Sequence, residues 1–298
     1  MTQLTHKPIA GALWMILAGT CFAIINTTNQ YISVTLGLHN TVLGFFQYFI
    51  SFIVMLPWIV KAGLSTALKT DYLHLHVIRV LMSVIGIQLW LWALAYPIPI
   101  WQAIALVMTS PLFATIGSHF FLKEKVGIRR WSATLVGIAG SLIILEPWAE
   151  DFVLASLLPV AAAFFWSIYS LMIRKMSRTE STGSMVVYLL ILIAPMNFVL
   201  AIPYFEVPSE HMWYLLTVSG SLLALAQWSL VKAYASADAS FIQPFDLVKL
   251  PLNVFAGWLV FSYVPPGKLW LGASLLVGAT IFILYQENKH RKENAGTT

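Results

Sequence analysis

Charged residues are scarce in this chain, which makes a water-exposed globular protein a poor starting hypothesis. Only 10% of its 298 residues are Asp, Glu, Lys or Arg, whereas 59% are hydrophobic. Soluble domains carry about 25% charged residues, most of them on the surface. The composition therefore excludes an ordinary soluble fold and indicates a polytopic membrane protein.

Cysteine and catalytic motifs are also scarce. Cys21 is the only cysteine, so no disulfide framework can form within one chain. The sequence contains no glycine-rich phosphate-binding loop, no nucleophile elbow and no pair of histidines with a glutamate. ATP-driven transport and intramembrane proteolysis are therefore unsupported. We expect no enzyme activity, no cofactor and no bound metal.

Strict alternation of polar and apolar residues is missing as well, so the chain is expected to cross the membrane as helices. Its apolar runs are about 17 to 25 residues long, the length that a helix needs to span a bilayer. The runs predict ten helices, at residues 11–31, 41–60, 77–96, 98–122, 131–145, 152–173, 182–203, 212–235, 239–263 and 269–285. The expected fold class is an all-α polytopic membrane protein with ten transmembrane helices.

The basic residues predict how these helices are oriented. With ten spans, every lysine and arginine outside the helices lies on one side of the membrane, except Lys268. Because loops rich in Lys and Arg stay in the cytoplasm, both termini are expected there, in a cytoplasmic (inner) membrane protein. This distribution explains the net charge of +5 without a nucleic-acid partner. The expected partners are the lipid bilayer and a small-molecule substrate; the oligomeric state is not predicted.

The chain contains an internal repeat. Four pairs of landmarks recur at a nearly constant separation: Trp90 with Trp228, Tyr96 with Tyr234, Pro111 with Pro251, and Trp131 with Trp270. The repeat divides the chain into residues 1–147 and 148–298, with five helices each. Because five is odd, the second half enters the membrane from the opposite side. Inverted repeats are typical of secondary transporters, in which two arrangements of the halves open a central site to alternate sides.

The sequence resembles the drug/metabolite transporter superfamily, with two EamA-type domains. The resemblance rests on "ALAYPIPIWQAIALVMTSPLFATIG" in the first half and "KAYASADASFIQPFDLVKLPLNVFAG" in the second. In this superfamily, the helix that contains the proline and the glycine normally ends at an acidic residue. Glu124 occupies this position in the first half and Tyr263 in the second. The segment "PFDLVKLP" is further similar to riboflavin and S-adenosylmethionine carriers. Lys249 stands where those relatives usually have arginine. Lysine keeps the positive charge but lacks the planar guanidinium group, which can bind a carboxylate through two hydrogen bonds.

Charged residues inside the membrane mark one candidate substrate site. Asp246 and Lys249 interrupt an apolar run, three residues apart and near the predicted bilayer centre. Ionisable residues at this depth are usually functional, although the two could form a purely structural ion pair. Transport could be coupled to protons through Asp246 or could be uncoupled; the sequence leaves both alternatives open. Arg79 and Lys232 lie near the cytoplasmic helix ends, where they either contact an anionic substrate or snorkel to the interface.

Aromatic residues offer a second candidate site. Trp166 and Trp228 fall near mid-membrane and Trp90 toward the outer third. Such rings stack on planar heteroaromatic ligands or surround a quaternary ammonium group, although most tryptophans here are expected to anchor helices at the interfaces. Polar residues that would be unsatisfied in lipid should point inward, where they either complete the cavity or only pack helices together. These residues are Asn26, Asn29, Gln47, Gln102, Thr109 and Gln243.

The function expected from the sequence is secondary transport of a small organic metabolite by alternating access. The metabolite would be carboxylate-bearing, zwitterionic or heteroaromatic. Lys249 would pair with Asp246 in the empty carrier and with an acidic group of the substrate in the loaded one, so that neither buried charge stays unpaired. One alternative is a cationic or quaternary-amine solute held in an aromatic cage. A more distant alternative is a flippase for a lipid-linked substrate.

Overall fold

The computed structural model describes residues 8–61, 69–96, 98–121, 126–150, 152–176, 179–180, 182–236, 245 and 247–295. Within these ranges the regular structure is helical, without β-strands. The α-helices are α1 Pro8–Gln30, α2 Asn40–Lys61, α3 Leu73–Ala95, α4 Ile100–Val107, α5 Ser110–Phe121, α6 Ile128–Leu145, α7 Leu158–Met176, α8 Thr182–Ala201, α9 Glu210–Ser236, α10 Lys249–Phe261 and α11 Gly267–Ala295. A π-helical turn, Tyr31–Thr35, continues α1.

Eight stretches among the described residues are long and apolar enough to cross a bilayer. They correspond to α1 with its π-helical turn, α2, α3, α4 together with α5, α6, α7, α8 and α9. Two further apolar helices, Lys249–Phe261 and Gly267–Ile283, are shorter. The prediction of an all-α polytopic membrane protein is confirmed. The number of ten spans in two repeats stays a prediction.

The fourth apolar stretch is broken, whereas the sequence predicted one helix over residues 98–122. The break separates α4 from α5 and lies just before Pro111. Proline has no amide hydrogen, and its ring clashes with the carbonyl of the preceding helical turn. The backbone therefore tightens at Thr109, whose N–H donates to the carbonyl of Leu106 at 3.1 Å, in a bond between residues three apart.

Other helix limits also differ from the prediction, three of them with a clear bearing on the spans. α6 begins at Ile128 and is 18 residues long, so this span is not as short as residues 131–145 suggested. α11 continues to Ala295, because the tail is rich in Glu, Lys and Arg, which favour helix. Within the predicted ninth span, helix α10 begins only at Lys249. The preceding residues 237–244 lie outside the described ranges.

Helices of the two sequence halves pack against one another in reciprocal pairs. α1 packs along α9 and α3 packs along α7. α2 packs on α8 and α6 packs on α11. In the numbering of the ten predicted spans, these contacts pair the first span with the eighth, the third with the sixth, the second with the seventh and the fifth with the tenth, which is the pattern that the predicted repeat would give.

Glycines allow α6 and α11 to approach at backbone distance. A Cβ added to Gly140 would lie 2.7 Å from the carbonyl oxygen of Gly272, so no larger residue fits there without a shift. Near the same ends of these helices, Lys268 Nζ lies 2.7 Å from Glu146 Oε1. The Lys268 side chain is 58% exposed, so this ion pair contributes little to stability. Close packing of the two helices, more than this ion pair, therefore stabilises the contact between α6 and α11.

Candidate functional site

A buried hydrogen-bonded cluster joins α1, α3 and α10. Asn26 Nδ2 donates to Asn253 Oδ1 at 3.2 Å, and Trp90 Nε1 donates to Asn26 Oδ1 at 3.3 Å. Asn253 Nδ2 donates to the backbone carbonyl of Lys249 at 2.6 Å. All three side chains are buried. We refer to Asn26, Trp90 and Asn253 as the amide–indole cluster; it contains residues from both sequence halves.

Trp166 of α7 lies beside this cluster. Its ring centroid is 6.3 Å from that of Trp90, and the two ring planes are tilted by 47°. Gly86 makes room for the ring, because a Cβ added there would lie 2.6 Å from Trp166 Cδ1. The structure therefore brings together Trp90, Trp166 and Asn26, which the sequence assigned to the candidate cavity. Their contact with a substrate stays a prediction.

α1 carries more buried amides along the same part of the helix. Asn29 and Gln47 of α2 exchange two hydrogen bonds, at 3.1 and 3.2 Å. Gln30 donates from Nε2 to the backbone carbonyl of Ile98 at 2.7 Å, while its Oε1 has no hydrogen-bond partner among the described residues. Asn26 and Gln30 are four residues apart and share a helix face. Polar groups thus line α1 over more than one turn.

Two residues of this region were missing from the sequence prediction. Asn253 was overlooked between Pro251 and Gly257, although a lone amide inside an apolar span is itself a signal of inward packing. Gln30 ends the polar stretch "NTTNQ", where the first helix was expected to stop. The π-helical turn prolongs the helix beyond that point and leaves Gln30 fully buried.

The predicted charged site is described only in part. Lys249 begins α10, and a Cβ added to Gly19 of α1 would lie 3.7 Å from its Cβ, so the two helices are in contact there. Lys249 is partly buried. Asp246 and Gln243 lie outside the described residues, so the predicted pairing of Asp246 with Lys249 stays a prediction.

Arg79 is enclosed by protein and does not snorkel to the membrane surface. It is 1% exposed, its Nη2 donates to the backbone carbonyl of Met185 at 2.9 Å, and its Nη1 lies 3.4 Å from the hydroxyl of Tyr169. The same Nη2 is 3.2 Å from His76 Nδ1, and His76 Nε2 lies 3.4 Å from the carboxylate of Glu180. Arg79 therefore ties α3 to α7 and to the first turns of α8.

Three further predicted residues lie elsewhere. Lys232 is exposed, and its Nζ is 5.1 Å from the ring centroid of Trp228. Trp228 borders a small cavity of about 80 Å³ together with Tyr48. Gln102 donates from Nε2 to the carbonyl of Ile144 at 3.3 Å. These contacts give Lys232, Trp228 and Gln102 surroundings of their own, separate from the contacts that define the amide–indole cluster.

A larger cavity lies between the start of α4, the end of α6 and the start of α11. Its volume is about 480 Å³, within the range of small-molecule sites. We call it the α4–α11 cavity. Its lining includes Ile98, Trp101, Gln102, Glu146, Phe152 and Lys268.

Known proteins resemble this chain over nearly its whole length. The EamA-like transporter family matches residues 9–146. A protein of Vibrio cholerae named riboflavin transporter is 58% identical, covering 96% of this chain and 97% of its own. Another riboflavin transporter, from Rhizobium johnstonii, is 43% identical, covering 99% and 98%. An S-adenosylmethionine uptake transporter of Rickettsia conorii is 33% identical, covering 94% of each chain.

These relatives are transporters, and each is matched along almost all of its sequence. Together with the eight apolar spans, they establish a multi-pass membrane transporter of a small molecule. The expected absence of enzyme activity agrees with this assignment. The chain belongs to the EamA-like transporter family, within the drug/metabolite transporter superfamily.

Proposed function

We propose that this protein carries riboflavin across the cytoplasmic membrane by alternating access. The observation that carries the proposal is the amide–indole cluster with Trp166 beside it, in a chain with two relatives named riboflavin transporter. Riboflavin has a flat, uncharged three-ring system whose edge presents alternating carbonyl and N–H groups. The cluster offers the matching chemistry, namely indole faces for stacking and amides with both a donor and an acceptor.

Riboflavin binding would replace hydrogen bonds within the cluster by hydrogen bonds to the ligand, so that no buried polar group loses its partner. In the structure, Asn26 bonds to both Trp90 and Asn253, and Asn253 Nδ2 donates to the backbone carbonyl of Lys249. A buried amide left without a partner costs about 1 to 3 kcal/mol of free energy. Only a ligand that supplies equivalent donors and acceptors can therefore break these hydrogen bonds without that cost. A flavin edge does so, whereas a quaternary ammonium group has no hydrogen-bonding atoms to offer.

The arrangement of the helices supports alternating access. The cluster lies across α1 and α3 of the first half and α10 of the second, and Trp166 also belongs to the second half. The reciprocal contacts of α1 with α9 and of α3 with α7 support the predicted inverted repeat. If the halves rock about the close contact of α6 with α11, the cluster opens to one side or the other. In this proposal both termini are cytoplasmic, and Asp246 is the candidate for proton coupling.

Uptake into proteoliposomes tests which substrate the protein transports. Purified protein should take up riboflavin saturably, and lumichrome, which keeps the ring and lacks the polyol chain, should compete. Choline and S-adenosylmethionine should compete poorly. Trp90→Phe keeps a ring and deletes the N–H, so it should weaken uptake, whereas Trp258→Phe on the exposed face of α10 serves as the matched control.

The outcomes separate the alternatives. Saturable uptake of choline without riboflavin uptake would replace the proposal by a cation carrier. Uptake of S-adenosylmethionine or of a dicarboxylate that disappears in Lys249→Ala would move the site to Lys249. Riboflavin carries no carboxylate, so its uptake should persist in Lys249→Ala if the amide–indole cluster is its site.

A further inference from the structure

The first turn of α6 concentrates positive charge. Arg129 and Arg130 are the second and third residues of this helix, and its first turn contains no acidic residue. The N-terminus of a helix is also the positive end of the helix dipole, which makes cations unfavourable there. Backbone N–H groups at a helix start lack partners within the helix. A negatively charged group beside this turn would therefore be attracted by two guanidinium groups and by the helix itself.

Arg130 is buried, although nothing in the described part of the chain neutralises it. The residue is 9% exposed, and its Nε has no hydrogen-bond partner. Arg130 takes part in no ion pair among the described residues. A buried charge is costly unless it is paired and hydrogen-bonded. The pairing group is therefore either Glu124, in the segment 122–125 outside the described ranges, or a bound anion.

Gln286 of α11 lies opposite Arg130. The two helices run antiparallel in close contact, and a Cβ added to Gly137 of α6 would lie 3.2 Å from the Cβ of Ala279. Continuing this register by two turns towards the start of α6 places Gln286 at the level of Arg130. Gln286 is 8% exposed, and its amide has no hydrogen-bond partner among the described residues. A buried cation and a buried amide, both without partners there, therefore face the same end of the α6–α11 contact.

The surroundings of these two residues are those of a membrane interface. Arg130 lies at the start of the apolar span Ile128–Leu145, and Gln286 follows the apolar part of α11, Gly267–Ile283. The predicted orientation puts both ends on the cytoplasmic side, where the leaflet contains anionic lipids. The neighbouring side chains of Ile128 and Tyr285 are 80% and 64% exposed. A phospholipid, which combines a phosphate with acyl chains, would cover them, whereas a free anion would not.

We infer that Arg130 and Gln286 bind the phosphate group of an anionic phospholipid in the cytoplasmic leaflet. The guanidinium group can donate two hydrogen bonds to one phosphate, and the amide can donate another. The first N–H groups of α6 add to the attraction. The lipid would strengthen the contact of α6 with α11 at the end opposite the ion pair of Glu146 and Lys268. Its binding does not depend on which substrate the protein transports.

Thermal unfolding of delipidated protein in a neutral detergent tests this inference. The probes are dioleoyl-phosphatidylglycerol, dioleoyl-phosphatidylcholine and glycerol 3-phosphate, each titrated separately. A ligand that binds only the folded protein raises the unfolding temperature as its concentration increases. We expect a saturable rise with phosphatidylglycerol alone. An equal rise with phosphatidylcholine would indicate a general effect of lipid and would overturn the inference, and an equal rise with glycerol 3-phosphate would overturn it in favour of a site for free anions.

Arg130→Gln should have opposite effects without and with the anionic lipid. Without the lipid, the variant should unfold at the same temperature as the natural protein or at a higher one, because an unpaired buried charge is removed. Its affinity for phosphatidylglycerol should be at least about fivefold lower, the effect of one basic group beside an anionic lipid surface. Arg129→Gln, an identical change of charge at an exposed position, should lower this affinity much less because water and salt screen its charge.

Two results with these variants would contradict the site. A lower unfolding temperature of Arg130→Gln without the lipid would show that Arg130 has a partner within the chain, such as Glu124. Equal losses of affinity in Arg129→Gln and Arg130→Gln would indicate diffuse attraction to a basic surface. Gln286→Leu tests the site without changing a charge, which matters if Arg130→Gln does not fold. It should weaken the binding of phosphatidylglycerol, and an unchanged affinity would also overturn the inference.

Discussion

The indole N–H of Trp90 on α3 donates to the amide oxygen of Asn26 on α1 across 3.3 Å. This bond joins the third helix to the first. The amide nitrogen of Asn26 in turn donates to Asn253 on α10. Three helices from two sequence halves therefore share one buried polar junction. A change at any member should affect both the packing of these helices and the binding of substrate.

Asn253→Leu removes the acceptor for Asn26 Nδ2 while nearly keeping the side-chain volume. We expect the free energy of unfolding to fall by about 1 to 3 kcal/mol, the cost of one buried unpaired donor, and riboflavin uptake to be lost. Thermal unfolding and uptake by proteoliposomes measure the two effects.

The control for Asn253→Leu is a half-buried amide pair outside the cluster. Gln88 Nε2 donates to Asn197 Oδ1 at 2.6 Å. Replacing both residues by leucine removes donor and acceptor together, which is often nearly neutral. Normal riboflavin uptake by Asn253→Leu would contradict a role of the cluster in transport.

Gly86→Ala should displace the ring of Trp166. The new Cβ would lie 2.6 Å from two atoms of that indole, which is too close for any real contact. We expect weaker riboflavin binding, measured as a higher KM for uptake, with the protein still folded. Gly278→Ala on α11 is the matched control, because its Cβ meets nothing within 4 Å and alanine favours helix by about 0.5 to 1 kcal/mol. Equal KM values for the two variants would show that Trp166 does not contact substrate.

Arg79→Met should destabilise the protein more than it changes substrate preference. It deletes hydrogen bonds to the Met185 carbonyl and to Tyr169, each worth about 1.5 to 3 kcal/mol for a charged donor. Thermal unfolding measures the loss. Arg129→Met, at an exposed position at the start of α6, should leave the unfolding temperature nearly unchanged. Equal effects of the two changes would contradict a structural role for Arg79.

His39, in the turn between α1 and α2, should make stability depend on pH. Burial is the main influence and lowers its pKa, and the nearby negative charge of Glu206 opposes this shift. Its ring stacks on Tyr204 with centroids 3.8 Å apart. Because the unfolded chain has a His pKa of about 6.5, this histidine binds a proton more readily when unfolded. Its stabilising contribution is therefore complete above about pH 6.5 and decreases as the pH falls through that value.

His39→Phe keeps a ring for stacking on Tyr204 and removes the titrating group. The difference in unfolding temperature between His39→Phe and the natural protein should therefore grow in favour of the variant between pH 7 and pH 5. Parallel unfolding curves over this interval would show that His39 titrates alike in the folded and unfolded chain.

Much of the fold could be predicted from the sequence because the bilayer restricts the choices. A backbone in lipid must satisfy its own hydrogen bonds, so apolar runs of sufficient length imply helices. Helix limits were less predictable where a proline or a turn acted locally. Pro111 broke the fourth span, and the π-helical turn at Tyr31–Thr35 prolonged the first, neither of which changes the average hydropathy that marks a span.

The candidate site was only partly predictable, for a physical reason. The sequence alone determined that the chain is helical and membrane-spanning, and that polar groups such as Asn26 and Gln47 should face inward, since lipid cannot satisfy them. It could not determine which inward groups meet. Only the tertiary structure decided that Asn253 bonds to Asn26, that Arg79 is enclosed by α7 and α8, and that Gln30 reaches Ile98. These pairings depend on the rotation and depth of packed helices, which no single helix encodes.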